Sequence, residues 1–113
     1  MQKIEAIIRV QRLEAVQEAL SDIGVDGVTV TEVKGMGRHR GITHTFRGSQ
    51  YSVNLAPRIK LDLAVNDDQV DEIVDAIQEA AFTGEVGDGK IFVSALAQVV
   101  RIRTNERGDA ALS

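Results

Sequence analysis

The stretch "TGEVGDGKIFV", Thr83 to Val93, decides the fold because it admits two readings. Gly84-x-x-x-x-Gly89-Lys90 has the spacing of a phosphate-cradling P-loop. That motif also needs Ser or Thr after the lysine to hold Mg²⁺, and it must run from a strand into a helix whose N-terminus faces the phosphates. Here Ile91 follows the lysine. Upstream, Val70, Ile73, Val74 and Ile77 form the buried stripe of a helix, with Gly84 as its stop. Downstream, "KIFVSALAQVVRIR" reads as one or two strands. Helix-to-strand is the reverse of the P-loop order, so that reading fails. What survives is chemistry: Gly87 and Gly89 permit backbone conformations that turn consecutive N–H groups toward an anion, and Lys90 adds a point charge. The alternative is a turn in which the glycines only satisfy geometry.

Working outward, Lys3 to Val10 read as a strand, with Ile4, Ala6, Ile8 and Val10 on one face and Ile7 on the other. In "RLEAVQEALSDIG" the apolar Leu13, Val16, Leu20 and Ile23 step by three and four, a helix that Gly24 ends. "GVTVTEV" alternates and forms a second strand. Periodicity then vanishes through "KGMGRHRGITHTFRGSQ" and returns in "RIKLDLAV", a third strand with Ile59, Leu61, Leu63 and Val65 on one face. Asn66 caps the second helix, with Asp67 and Asp68 in its first turn and Gln69 at the capping-box position. Strand-helix-strand, long loop, strand-helix-strand gives a ferredoxin-like α+β sandwich in a single domain over residues 1–113. Two helices cover one face of a four-stranded sheet. Ile7, Val93 and the valines of the second strand point to a partner subunit on the other, hence a homo-oligomer.

Charge is unevenly spread. The net −4 hides a segment from Val33 to Leu61 that holds six of the 13 lysines and arginines and no Asp or Glu. Both histidines, the only tyrosine and the only proline lie there too. A connection of this length in a small domain is functional or disordered, and Arg47-Gly48 followed by Tyr51 offers a guanidinium at a tip and a hydroxyl open to modification. His39 and His44 lack nearby carboxylates, which leaves them weak metal-ligand candidates. Arg101 and Arg103, two apart on a segment expected to be extended, point the same way. With Lys90 they form a cationic patch whose members repel unless a polyanion joins them. The absence of cysteine removes disulfides, thiolate metal sites and cysteine nucleophiles. No apolar run nears the roughly 20 residues of a membrane span, and the N-terminus lacks signal-peptide order, so a cytoplasmic protein is expected. An acidic remainder with only Phe46 and Tyr51 as stacking residues in the basic segment argues against nucleic acid.

"MQKIEAIIRV", "VTVTEVKGMGR", "FRGSQYSV", "TGEVGDGKIFV" and "VVRIRTNERGDAAL" together resemble the PII nitrogen-regulatory signal proteins, collinear over essentially the whole chain. The resemblance implies a compact homotrimer that binds ATP or ADP in clefts between subunits. It further implies a mobile T-loop, about residues 37–55, that engages targets such as an ammonium transporter or a metabolic enzyme, with reversible recruitment to the membrane. It assigns the phosphates to Arg38, Gly87, Gly89, Lys90, Arg101 and Arg103, with Gly37 and Asp88 also counted among the nucleotide-binding residues. Thr29 matches a base-side contact, Asp62 stands where Glu is general near the ribose, and Ala64 stands where a branched residue is usual. Arg47 matches the residue that plugs a transporter pore and Tyr51 the one some bacteria uridylylate.

The chain also departs from the family. His39 replaces a glutamine that orients Mg²⁺ and 2-oxoglutarate, and Arg58 replaces a lysine that pairs with the effector's distal carboxylate. A neutral imidazole suits Mg²⁺ less well than an amide oxygen, and arginine's planar fork differs in reach from an ammonium. "RVQRL" and "NLAPRIK" stand where "KPFKL" and "DFLPKVK" are common, marking a divergent member. The expectation is a regulator, not an enzyme. The alternatives are a PII-like sensor of another small anion such as bicarbonate, tied to carbon metabolism, and a weak ATPase.

Overall fold

The computed structural model describes residues 1–37 and 55–113 in full, and the backbone alone over 42–46 and 49–53. The chain runs β1 (Gln2–Arg9), α1 (Leu13–Asp22), β2 (Thr29–Met36), β3 (Ile42–Phe46), β4 (Ser49–Val53), β5 (Leu55–Val65), α2 (Val70–Ala81) and β6 (Lys90–Ala95). Strands β2, β5, β1 and β6 form one antiparallel sheet in that order, and β3 and β4 pair as a separate two-stranded ribbon. This is the ferredoxin-like order expected from two strand-helix-strand halves. The third sheet strand starts at Leu55, three residues before the alternating pattern becomes visible. The long connection contains a hairpin in which Tyr51 lies opposite His44, where the sequence showed no periodicity. Its strands, "ITHTF" and "SQYSV", are mostly polar and carry no alternation of apolar with polar residues for a period of two to detect.

The core lies between sheet and helices. Ile4, Ala6 and Ile8 of β1 and Ile59, Leu61, Leu63 and Val65 of β5 are buried against Val16 and Leu20 of α1 and Ile73, Ile77 and Ala81 of α2. Each fully buried branched side chain contributes on the order of 1.5–3 kcal/mol through removal from water. Gly24, at φ 84°, ends α1 in a Schellman arrangement: its N–H donates to Ser21 O at 3.0 Å and that of Val25 to Leu20 O at 2.9 Å. At Asn66 the backbone N–H donates to the Gln69 side chain at 3.2 Å, as its capping-box position requires. Asp67 also receives the Met1 amino group at 2.8 Å, which ties the start of β1 to the start of α2.

Three expectations need correction. Gly84 does not stop α2, because Phe82 is already extended at φ −68°, ψ 130° and Arg12 caps the last turn by donating to Ala80 O at 2.9 and 2.6 Å. Val93 does not face away from the helices: it lies opposite Ile4, on the helix side, as Val30 does opposite Leu61. The helix-free face instead carries Lys3, Glu5, Ile7 and Arg9 of β1, Arg58, Lys60 and Asp62 of β5, and Lys90 and Phe92 of β6. It is a charged face with apolar members, and what would cover it must match charge as well as exclude water. Finally, Arg101 and Arg103 are not on a strand. After β6 there is a single bridge, Val100 to Arg107, closed by a turn through Ile102 to Thr104.

Candidate anion-binding groove

The turn between α2 and β6 is shaped by one carboxylate. Asp88 accepts from the Thr83 and Gly84 N–H groups at 2.8 and 2.9 Å, from the Thr83 hydroxyl, and from Arg9 Nε at 3.0 Å. Arg9 also donates to Val86 O at 2.8 Å. Hydrogen bonds from Thr83, side chain first and backbone second, hold the Asp88 carboxyl far below the ordinary carboxylate range. Both of its oxygens are therefore committed to the loop, and the residue acts on a ligand only through the backbone it positions.

Two glycines in this turn have different reasons to be glycine. Gly89, at φ 101°, approaches β1 so closely that a Cβ would lie 1.7 Å from Ile7 O. Gly87, at φ 104°, leaves space that the Arg58 and Arg9 guanidiniums fill: a Cβ there would meet their Nη2 atoms at 2.9 and 3.2 Å. The glycines satisfy geometry, and in doing so they bring a bare backbone under two cationic side chains.

Beside this backbone lies a groove of about 610 Å³ lined by Ile7, Gly35, Met36, Gly37, Arg58, Val86, Gly87, Gly89, Lys90 and Phe92. Four sequence candidates, Gly37, Gly87, Gly89 and Lys90, are brought together there, with Arg58. Arg9 and Arg58 are directly opposite on paired strands, a placement that costs stability unless a counter-charge intervenes. Asp88 supplies it for Arg9. Arg58 donates only to the carbonyl of Pro57, at 2.8 Å, and neither it nor Lys90 has a carboxylate partner among the described residues. An anion in the groove would meet two uncompensated cations and no acidic lining residue. A second hollow of about 730 Å³ shares Arg58 with the groove and adds Arg9 and Lys34, but it includes the acidic Glu32 and none of the glycine turn.

The other candidates form separate groups. Thr29 is directly opposite Asp62, with Ala64 two residues farther on the same face. Asp62 Oδ1 is sealed from solvent without a hydrogen-bond partner, and Lys3 Nζ stands 3.5 Å away. Lys90 pairs with Ile7 and Asp62 with Glu5 on opposite sides of β1, so the two lie two strands apart, about 10 Å laterally. Arg101 and Arg103 belong to the C-terminal turn and are not among the residues that line the groove. Arg38, His39 and Arg47 lie outside the described residues, as does the side chain of Tyr51.

Arg9 is the residue sequence reading missed. Its signal was available: it shares a face with Ile7, and laying β1 beside β5 places it opposite Arg58.

Against known proteins, residues 1–106 match the family described as "Nitrogen regulatory protein P-II". The chain belongs to the P-II family. Nitrogen regulatory protein GlnK of Escherichia coli (strain K12) is 54% identical over 112 residues, 99% of this chain and 100% of the relative. Nitrogen regulatory protein P-II of Rhodospirillum rubrum is 51% identical over the same shares. Among solved structures, Arabidopsis thaliana PII bound to citrate superposes with a TM-score of 0.79 at 40% identity, over 97% of this chain and 90% of that one. A signalling role in nitrogen regulation follows for this P-II chain, and its relatives carry the names of regulators. Among the described residues no helix is long and apolar enough to cross a membrane.

Proposed function

We propose that this P-II protein binds ATP and ADP competitively in clefts between the subunits of a homotrimer, and that occupancy biases its T-loop between conformations with different affinity for a target. The observation that carries the reading is the groove where the Gly87–Lys90 backbone meets uncompensated Arg58 and Lys90 beside Gly37. The phosphates sit there, with Arg38 following Gly37 into the T-loop. Thr29, Asp62 and Ala64 take the ribose and base, and Arg101 and Arg103 complete the charge. Because one chain keeps these groups apart, the site is whole only when copies associate; the charged, helix-free sheet face supplies the surface for that. Each charge-assisted bond to phosphate contributes about 1.5–3 kcal/mol, so three or four support micromolar binding after entropic losses.

The T-loop, about residues 37–55, is the output. It presents Arg47 to an ammonium-type transporter or metabolic enzyme and Tyr51 for modification, from a cytoplasmic protein recruited reversibly to the membrane. Among the described residues the groove lining offers no carboxylate to position a water, which disfavours hydrolysis. Arg58 beside Arg9 favours a second, small carboxylate or bicarbonate ligand next to the phosphates, and the citrate in the Arabidopsis relative is an anion of that kind.

The test is ATP calorimetry. Lys90→Ala or Arg103→Ala weakens ATP at least about tenfold, and unchanged affinity removes the assignment. Repeating the titration with millimolar 2-oxoglutarate decides the second ligand. Tighter ATP binding identifies 2-oxoglutarate as effector despite His39 and Arg58; no change turns the search to bicarbonate.

A further inference from the structure

The C-terminal turn holds its two arginines in opposite states. Arg103 is exposed and has no partner among the described residues. Arg101 is three-quarters covered, and both of its terminal nitrogens are engaged: Nη1 pairs with the Glu106 carboxylate, and Nη2 donates to the carbonyls of Ala110, at 3.1 Å, and Ser113. A guanidinium grips phosphate through two parallel N–H donors. Here both Nη nitrogens already bond the chain's own tail, while Nε–H has no partner among the described residues.

We propose that the segment Glu106–Ser113 is an intrasteric latch that competes with nucleotide phosphate for the Arg101 guanidinium. The proposal rests on the reading that Arg101 is a phosphate contact. The parts of the latch are separable from the turn that carries it. Arg101 N–H donates to Glu106 O at 2.9 Å, Asn105 N–H to Arg101 O at 2.8 Å and Gly108 N–H to Val99 O at 3.0 Å. These backbone bonds keep Arg101 in place when its side chain swings away. The tail itself is lightly built: a four-residue 3₁₀ turn, Gly108–Ala111, with Asp109, Ala110 and Ser113 exposed. Glu106 also accepts the Thr104 hydroxyl at 2.7 Å. That bond, and next the Arg101 charge, holds its carboxyl below the ordinary range, so it is ionised at neutral pH and presents Arg101 with a full competing charge.

The latch makes binding a two-stage exchange. Arg103 is free to meet the phosphates first, and Arg101 joins only when the tail leaves. By linkage, whatever holds the tail down weakens nucleotide, and nucleotide loosens the tail by the same factor. A partner that captures the released tail would then report nucleotide occupancy at a surface distinct from the T-loop.

The experiment titrates ATP into the full chain, Glu106→Gln, Arg101→Ala and the double variant. Glu106→Gln is expected to tighten ATP about two- to fivefold, the range that partly exposed ion pairs support. In the Arg101→Ala background the same substitution is expected to change nothing. Hydrogen exchange over residues 108–113 is expected to speed up when ATP is added, whereas ordinary ligand binding slows exchange. If Arg101→Ala weakens ATP but Glu106→Gln does not tighten it, the latch is wrong while the phosphate assignment stands. If Arg101→Ala leaves ATP affinity unchanged, the assignment falls and takes the latch with it. Tail exchange that stays constant or slows with ATP also overturns the latch.

Discussion

Two turns in this protein are built on one plan and serve different ends. In Thr83–Gly89, Asp88 gathers a threonine hydroxyl, two backbone N–H groups and an arginine. In Arg101–Arg107, Glu106 gathers a threonine hydroxyl and an arginine. The arginines differ in origin. Arg9 comes from β1, 79 residues away in sequence, and its backbone is fixed in a paired strand. Arg101 is five residues from its partner, in a turn closed on itself by a single bridge between Val100 and Arg107. A carboxylate that joins two rigid elements is a brace, since releasing it costs the loop its shape. One that holds a side chain within its own turn can let go cheaply, and so can act as a competitor. The same hydrogen bonds therefore mean structure in one place and regulation in the other.

The hardest way to break the first turn is at Gly89. Alanine there combines a positive φ with a Cβ 1.7 Å from the Ile7 carbonyl oxygen, a backbone atom that cannot turn aside without opening the β1–β6 pair. A loss of about 3 kcal/mol or more is expected in denaturant unfolding, from overpacking and left-handed strain together. A variant as stable as the parent would mean that the turn does not approach β1 as described.

Asp88→Asn has a smaller effect and tests the brace itself. Removing the charge leaves Arg9 and Arg58 opposed without a counter-ion, and the amide keeps one acceptor oxygen where the carboxylate used two, so the Thr83 and Gly84 N–H groups and Arg9 compete for it. Faster amide exchange at those two residues is expected, with the global fold kept. The sign of the pH dependence follows from the depressed folded pKa. The Asp88 contribution is fully present above the ordinary carboxylate value of 3.8 and is lost as pH falls through the lower folded value. The parent turn should keep slow exchange on acidification to pH 4, while the Asn variant shows fast exchange at every pH. Equal exchange in both would remove the brace.

Much of this was legible in the sequence, and the misses share a cause. The elements of the sheet and the two helices follow from periods of two and 3.6, and the glycines of the turn announced a special backbone. Face assignment failed at Val93 because alternation gives which residues share a side, while only register against β1 says which side that is. The extended reading of Arg101 and Arg103 failed because a turn stabilised by Glu106 and Thr104 leaves no hydrophobic period to betray it. Arg9 was overlooked for a related reason: its partner Asp88 is remote in sequence, and long-range charge pairing has no spacing rule.

The gentlest probe of the comparison is at Asn105, the one non-glycine residue with positive φ among those described, at 60°. It occupies the second turn as Gly87 and Gly89 occupy the first, but its surroundings are open, and its side chain only accepts from Arg107 at 3.1 Å. Asn105→Ala therefore meets left-handed strain without a backbone collision, and a loss of about 1 kcal/mol is expected. The contrast with Gly89 is the informative quantity, since both substitutions place alanine at positive φ. If the two losses are equal, strain alone accounts for both, and the close approach to Ile7 contributes nothing. If the Asn105 variant loses little stability yet binds ATP more tightly, the second turn is tuned for release, because strain introduced beside Glu106 would be relieved when Arg101 leaves it. That outcome would extend the distinction between brace and competitor from side chains to the backbone beneath them.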